Sequence, residues 1–345
     1  MTNITKRIIV PAAEEILDLY FPVLDHGFVA LKDYMGGDHS VMRAARVSYG
    51  AGTKGVNTDR DMLRYMARAH HTSPFEQCEM VFHCKLPIFV ARQLIRHRTA
   101  SVNEYSMRYS LPEMEFYVPE PENLGGQSKR NKQGRADPIP TDDANFAIMR
   151  WRQLQEESVE LYEIMTAKDC DLARELARLH LPLSIYTQWY WKIDLHNALH
   201  FLNLRCDGHA QWEIQQFANV KAAIINRVAP IAFEAWIDYV FQARTFSRME
   251  MQILQEIVGI DRYHGPGDEF IMYPIACDTV VDGDKIREKH GLSKREWSEF
   301  LDSFQADYDP KRFELDLSTA KTGEYFAQCG AASVPRVLET SKPLP

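Results

Sequence analysis

Apolar and polar positions alternate most clearly in two places. From Glu79 to Leu86, Met80, Phe82, Cys84 and Leu86 point one way while Val81, His83 and Lys85 point the other, the pattern of a half-buried strand. The segment YTQWYWKI, Tyr186 to Ile193, alternates likewise and predicts a second strand. Elsewhere the period is helical. Asp59 to His71 gathers Met62, Leu63, Met66 and Ala69 on one side, and Ser73-Pro74 is expected to stop that helix. Pro87 suits the first turn of a helix running through IFVARQLIRHR. A long helix is expected from Ala144 to Thr166 and another to His180. Asp194 is a plausible cap for a helix from Leu195 to Leu204, with Leu195, Leu199 and Leu202 on one stripe and His196, His200 and Asn203 on another. A further helix begins near His209, breaks at Pro230 and resumes to Phe241.

The remaining stretches carry weaker signals. The first forty residues read as a short helical segment, Ala12 to Tyr20, among glycine-containing turns. Residues 118–143 are rich in Pro, Gly and charge and read as a surface loop, whose Lys129, Arg130, Lys132 and Arg135 are expected to be solvated, contact with an anion being the alternative. Beyond Phe246 the chain turns irregular. Ser293 and Glu296 form a capping box before a short helix, and the end is polar.

Composition narrows the choices. The 345 residues carry 40 Lys and Arg against 48 Asp and Glu, a formal charge of −8. A surface built for a nucleic-acid polymer needs a basic face, so that class is disfavoured. No stretch of about 18 uncharged apolar residues exists to span a membrane. The N-terminus has no long apolar core before a cleavage site, and a cytoplasmic protein is expected. The six cysteines form no C-x-x-C pair and read as free thiols.

Against that acidic background, Arg92 to Arg108 has a net charge of +3, leaving −11 for the rest of the chain. Its arginines suit a dianionic phosphate, because a guanidinium binds two oxygens at once. Asn103, Glu104 and Ser106 add donors and acceptors of the kind a polar heterocycle requires. The competing reading is a solvated, salt-bridged helix end. Gly50 to Gly55 matches G-x-G-x-x-G but lacks the strand and helix that a dinucleotide fingerprint needs. His196, His200 and His209 raise a metal-dependent hydrolase as an alternative, without the acidic partner of an H-E-x-x-H motif. Cys78 and Cys84 are expected in the core.

Three blocks of this sequence together resemble the flavin-dependent thymidylate synthases. Arg96-His97-Arg98, seven intervening residues and Ser106 fit the family signature, with Asn103-Glu104, Arg108 and Tyr109 around it. His71-Thr72-Ser73-Pro74-Phe75-Glu76 resembles an upstream block, and LPLSIYTQWYW with FLNLRCDGHAQWEIQQ a downstream one. The similarity runs from about Ala44 to Met249, and beyond it only GLSKREWSEF looks familiar.

The resemblance implies an α+β fold, a central antiparallel sheet flanked by long helices, with an irregular helical C-terminal extension. Residues 1–248 would be the catalytic domain and 249–345 the extension. It implies methylation of dUMP to dTMP with methylenetetrahydrofolate as carbon donor and NADPH as reductant, through bound FAD. The one-carbon transfer would need no cysteine nucleophile. Carried over by position, Gln93, Arg96, Glu104, Ser106, Arg108, Arg178 and Arg205 would contact dUMP. Arg205, Ser106 and Arg108 would be catalytic, with Ser106 orienting the nucleotide. His71, Ser73, Glu76, His97, Arg98, Thr99, Asp194, His200 and His209 would line the flavin, and no metal would be needed. The sites would be shared between subunits of a homotetramer. Where many relatives have Asn, this chain has Asp194 and His200; an ionised Asp accepts but does not donate. A nucleotide-binding regulator without turnover is a further alternative.

Overall fold

The computed structural model describes residues 6–47, 59–129, 134–258, 283–302 and 309–322. Gly50 to Gly55, Arg130, Lys132, Gly265-Pro266-Gly267, Cys277 and Cys329 lie outside them. The chain divides into two compact units, Met1–Trp236 with Lys311–Pro345, and Ile237–Pro310.

In the first unit the order is α1 (Pro11–Glu14), β1 (Tyr20–Val23), β2 (Gly27–Met35), α2 (Asp38–Arg46), α3 (Asp59–Arg68), β3 (Glu79–Pro87), α4 (Ile88–Leu94), β4 (Ser101–Glu104), β5 (Gly125–Gln127) and β6 (Arg135–Pro138). There follow α5 (Thr141–Thr166), α6 (Arg174–Ala177), β7 (Tyr186–Asp194), α7 (Leu195–Arg205), α8 (Trp212–Val228) and α9 (Pro230–Trp236). The fold is α+β: a five-stranded sheet in the order β1-β2-β3-β7-β4, antiparallel throughout, with helices against it.

Both alternating segments form neighbouring central strands, with Phe82 opposite Trp191 and Cys84 opposite Trp189. Met80, Phe82, Cys84 and Leu86 are fully buried, and Trp189, Trp191 and Ile193 nearly so. This apolar face meets α7 and α8 through Phe201 and Phe217. A side chain of that size buried so fully is worth about 3–5 kcal/mol when truncated. On the opposite face, Lys85 donates to Glu113 at 2.6 Å and also pairs with Glu115, while His83 meets Gln188 at 3.0 Å. Two carboxylates compensate the desolvation of this buried lysine.

Several expected elements differ. The helical segment expected over Ala12 to Tyr20 is the single turn α1, and residues 20–35 are a β-hairpin rather than turns; Gly27 opens β2 where an added Cβ would lie 2.5 Å from the Val23 carbonyl. The helix over Asp59 ends before Ser73-Pro74, because His70 turns left-handed (φ 57°) and the His71 N–H reaches back to the Met66 carbonyl. Pro87 ends the strand and caps α4, and α4 stops at Leu94, so Arg96, His97 and Arg98 lie beyond the helix. Residues 118–143 contain the small hairpin β5–β6. Arg135 stays exposed but is not merely solvated: it pairs with the buried Glu213. The helix expected to run to His180 is the single turn α6 followed by a 3-10 turn, Arg178–His180.

Asp194 caps α7, accepting from Asn197 N at 2.9 Å and Asn197 Nδ2 at 2.7 Å. The returning segment Lys311–Lys321 belongs to this unit. Arg312 donates to the Cys206 carbonyl at the end of α7, Phe313 packs on Phe233 and Trp236, and Lys321 pairs with Tyr20.

The second unit contains α10 (Arg248–Val258), α11 (Gly283–Lys289) and α12 (Lys294–Asp302). Ile253, Ile286, Leu292 and Phe300 form its core. The Ser293–Glu296 capping box is present, with Ser293 N donating to Glu296 at 2.8 Å and Glu296 N to Ser293 Oγ at 3.2 Å.

Candidate active site

The expected site residues fall into groups held by different elements. The first lies where α4 ends and α7 passes. After Leu94 the chain tightens, with Arg96 N bonding Gln93 O and His97 N bonding Leu94 O. No glycine or proline marks this stop. The turn directs His97 against the face of Phe201, ring centroids 4.8 Å apart. Arg205, in the last turn of α7, donates from Nε to His97 Nε2 at 3.0 Å.

The pair is electrostatically constrained. Burial, then the Arg205 charge, then His200 and Lys221, hold His97 down at about 4. Burial also lowers Arg205. A neutral His97 accepts at Nε2, so its Nδ1 carries the proton as a donor. On either side, Arg96 and Arg98 are exposed, and among the described residues neither guanidinium has an ion-pair or hydrogen-bond partner. Two unneutralised arginines beside a half-buried third make a strong local field for an anion in an acidic protein.

The second group lies at α6. Arg108 reaches the Glu175 carboxylate at 2.9–3.0 Å, and Arg178 Nε bonds the Glu175 carbonyl at 3.4 Å. Arg174 donates to the Tyr109 carbonyl at 2.8 Å. Ser106 Oγ accepts from Arg108 N at 3.3 Å, and among the described residues no base touches it. That arrangement positions a backbone turn; it does not activate a nucleophile. Glu104, on the edge strand β4, accepts from Thr187 at 2.9 Å.

Gln93 forms a third contact. Its Nε2 donates to Gln211 Oε1 at the start of α8, and Gln211 Nε2 donates to Glu213 at 2.8 Å. A cavity of about 540 Å³ adjoins this point, between the β5–β6 hairpin and the segment from Gly208 to Gln215, and His209 lines it. His209 is exposed and bonds Asp207 at 2.8 Å.

Of the expected flavin residues, His71, Ser73 and Glu76 sit around the turn Phe75–Gln77, which packs against α7. His71 and Glu76 are exposed, as are Arg98, Thr99 and His200. Asp194 spends both carboxylate oxygens on its capping bonds. The helix α7 is therefore the common rail, with Asp194 at its start, Phe201 and His200 along it and Arg205 at its end. Exposed arginines, a hydroxyl and imidazoles match the phosphates and polar rings of a dinucleotide, so the donor set fits FAD.

Sequence reading passed over Glu175, Gln211 and Glu213. Glu213 carried a signal, an acid among the apolar residues of a helix; Glu175 carried none, because its partner lies 67 positions away.

Other chemistries have less to build on. Among the described residues no three His, Cys, Asp or Glu side chains converge for a metal ion. Cys78, Cys84 and Cys206 are buried; Cys78 and Cys206 are pushed up to about 12, chiefly by burial. Such thiols do not act as nucleophiles. Among the described residues no helix is long and apolar enough to cross a membrane.

A family model described as thymidylate synthase complementing protein, Thy1, matches residues 30–231. A flavin-dependent thymidylate synthase of Ehrlichia ruminantium (strain Gardel) is 43% identical over 301 residues, 87% of this chain and 93% of the relative. That of Ruegeria pomeroyi is 44% identical over 300 residues, 86% of this chain and 92% of the relative. Among solved structures, the UMP/dUMP methylase PolB from Streptomyces cacaoi, bound with 5-Br UMP, superposes with a TM-score of 0.58. It is 32% identical, and the match covers 64% of this chain and 98% of PolB.

Proposed function

We propose a function from one premise: the chain belongs to the flavin-dependent thymidylate synthase family. It is a methyltransferase that converts dUMP to dTMP, and its cofactor is a flavin, FAD. In our reading the carbon comes from methylenetetrahydrofolate and the electrons from NADPH, and the enzyme works in the cytoplasm as a homotetramer with sites shared between subunits.

The observation that carries the reading is the unneutralised pair Arg96 and Arg98 flanking the half-buried His97–Arg205 contact. When bound and reduced by NADPH, FAD would supply the hydride to the uracil ring. The protein supplies position and field. Gln93, Arg96, Glu104, Ser106, Arg108, Arg178 and Arg205 hold dUMP. Arg205 is partly withdrawn from water, where a charge acts more strongly, and stabilises negative charge that develops on the ring. Ser106 orients the nucleotide and forms no covalent bond. His71, Ser73, Glu76, His97, Arg98, Thr99, His200 and His209 hold the flavin. Asp194 acts on that set through the start of α7, which it caps. The buried thiols Cys78, Cys84 and Cys206 are not poised to attack the uracil ring, which agrees with electron delivery by a flavin.

The visible absorption spectrum tests this reading. Purified protein is expected to show flavin bands, and adding dUMP to accelerate NADPH oxidation. Colourless protein that takes up no FAD on addition would sink it.

A further inference from the structure

We infer that Glu213 sets the orientation of the Gln93 amide, acting through Gln211, so that Gln93 presents its carbonyl oxygen to a hydrogen-bond donor on the nucleotide. The inference rests on Gln93 facing dUMP, as proposed above.

Glu213 is 3% exposed, yet its carboxylate is fully engaged. Arg135 donates to both oxygens, at 2.6 and 2.7 Å; Tyr117 OH donates to Oε1 at 3.3 Å; Gln211 Nε2 donates to Oε2 at 2.8 Å. A carboxylate paired with a guanidinium only accepts. The Gln211 amide must therefore turn its NH2 toward Glu213 and its carbonyl toward Gln93. That carbonyl in turn can only accept, so Gln93 must offer Nε2, as it does. Gln93 Oε1 is left over, and among the described residues nothing bonds it. One buried charge thus decides the polarity of two successive amides, each of which could flip in isolation.

Arg135 anchors the relay to the β5–β6 hairpin. Its guanidinium also bonds the Asn123 carbonyl and lies over the Trp212 ring, 5.9 Å from its centroid. Glu213 and Gln211 are positioning residues; Gln93 makes the contact. A carbonyl acceptor there selects a ligand donor, which on dUMP is either the imide N–H of the ring or the sugar hydroxyl.

The test is calorimetric titration of dUMP into the FAD-loaded full chain and its variants, with flavin content and thermal unfolding recorded for each. Gln93→Leu is expected to weaken dUMP about tenfold, the scale of one hydrogen bond. Gln211→Leu and Glu213→Gln should each weaken it by a similar factor. Neither should weaken it further in the Gln93→Leu background, because both act through that residue. Gln211 is exposed, so Gln211→Leu keeps the test available if Glu213→Gln fails to fold. A nucleotide methylated at the imide nitrogen and a 3′-deoxy nucleotide separate the two donors: the one that Gln93 reads should bind alike to wild type and Gln93→Leu. Losses that add in the double variants, or an unchanged affinity in Gln211→Leu, would overturn the relay. Wild-type protein that binds no dUMP would overturn the functional reading instead.

Discussion

Arg205 and Arg108 are both proposed to touch the nucleotide, yet the protein holds them in opposite ways. Arg205 ends a long helix whose apolar side is locked under the sheet. It bonds a neutral histidine that itself rests on Phe201. Arg108 is exposed, on a turn, and is held by an equally exposed carboxylate, Glu175. The first geometry exists before any ligand arrives. The second is one surface ion pair, worth 0–1 kcal/mol at most, and yields readily to a competing phosphate. A nucleotide site assembled from both has a fixed wall and an adjustable rim. In the proposed site the wall would set where the reacting ring lies, and the rim would adjust to what has been placed there.

The sharpest way to break this contrast is to remove what backs the wall. Phe201→Ala should cost about 3–5 kcal/mol of stability, read by denaturant unfolding, since Phe201 is fully buried between Trp191 and His97. A loss below about 1 kcal/mol would mean the wall is not rigid. At the rim, Arg108→Ala should weaken dUMP by about 1.5–3 kcal/mol while FAD stays bound. Its stability should move by less than about 0.5 kcal/mol, as for a surface change. An unchanged dUMP affinity would take Arg108 out of the site.

Acid sharpens the contrast further. His97 sits at about 4 in the folded chain against an ordinary 6.5. Below pH 6.5 the unfolded chain gains a proton that the folded chain refuses. The stability contributed by neutral His97 is complete above about pH 6.5 and is lost as the pH falls toward 4. Arg205→Met should raise the His97 titration, followed by NMR, without returning it to 6.5, because burial is the larger cause. The rim rests on an exposed ion pair, so the smallest effect belongs there. Glu175→Gln should change stability by less than about 1 kcal/mol and should strengthen dUMP binding slightly by freeing Arg108. Weaker binding would show that Glu175 orders Arg108 for the ligand and does not compete with it.

The wall was more legible in the sequence than the rim. The alternation of Glu79 to Leu86 and Tyr186 to Ile193 is a local signal with one buried face, so the strands and their buried sides followed from it, while their pairing and register did not. The Asp194 cap and the Ser293–Glu296 box are likewise local bonds across three residues. What escaped reading depends on distant partners. The end of α4 at Leu94 is set by the seating of His97 on Phe201, over a hundred residues away, and has no breaker of its own. The β5–β6 hairpin lies in a segment whose composition says loop; Arg135 ties it to Glu213 across 78 positions. The hairpin over Tyr20 to Met35 was masked by a nearly continuous apolar run, which carries no period of two. A boundary at residue 248 is what the resemblance implies; the compact units divide at 236 and again at 310, where Phe313 returns to Phe233 and Trp236. That return is a tertiary contact with no local signature.

The most direct test is product analysis. FAD-loaded protein should be supplied with dUMP, NADPH and methylenetetrahydrofolate labelled at the transferred carbon. The expected result is dTMP carrying the label in its 5-methyl group, with NADPH consumed in step. Flavin-loaded protein that forms no dTMP, while dUMP and FAD are both bound, would contradict the assignment.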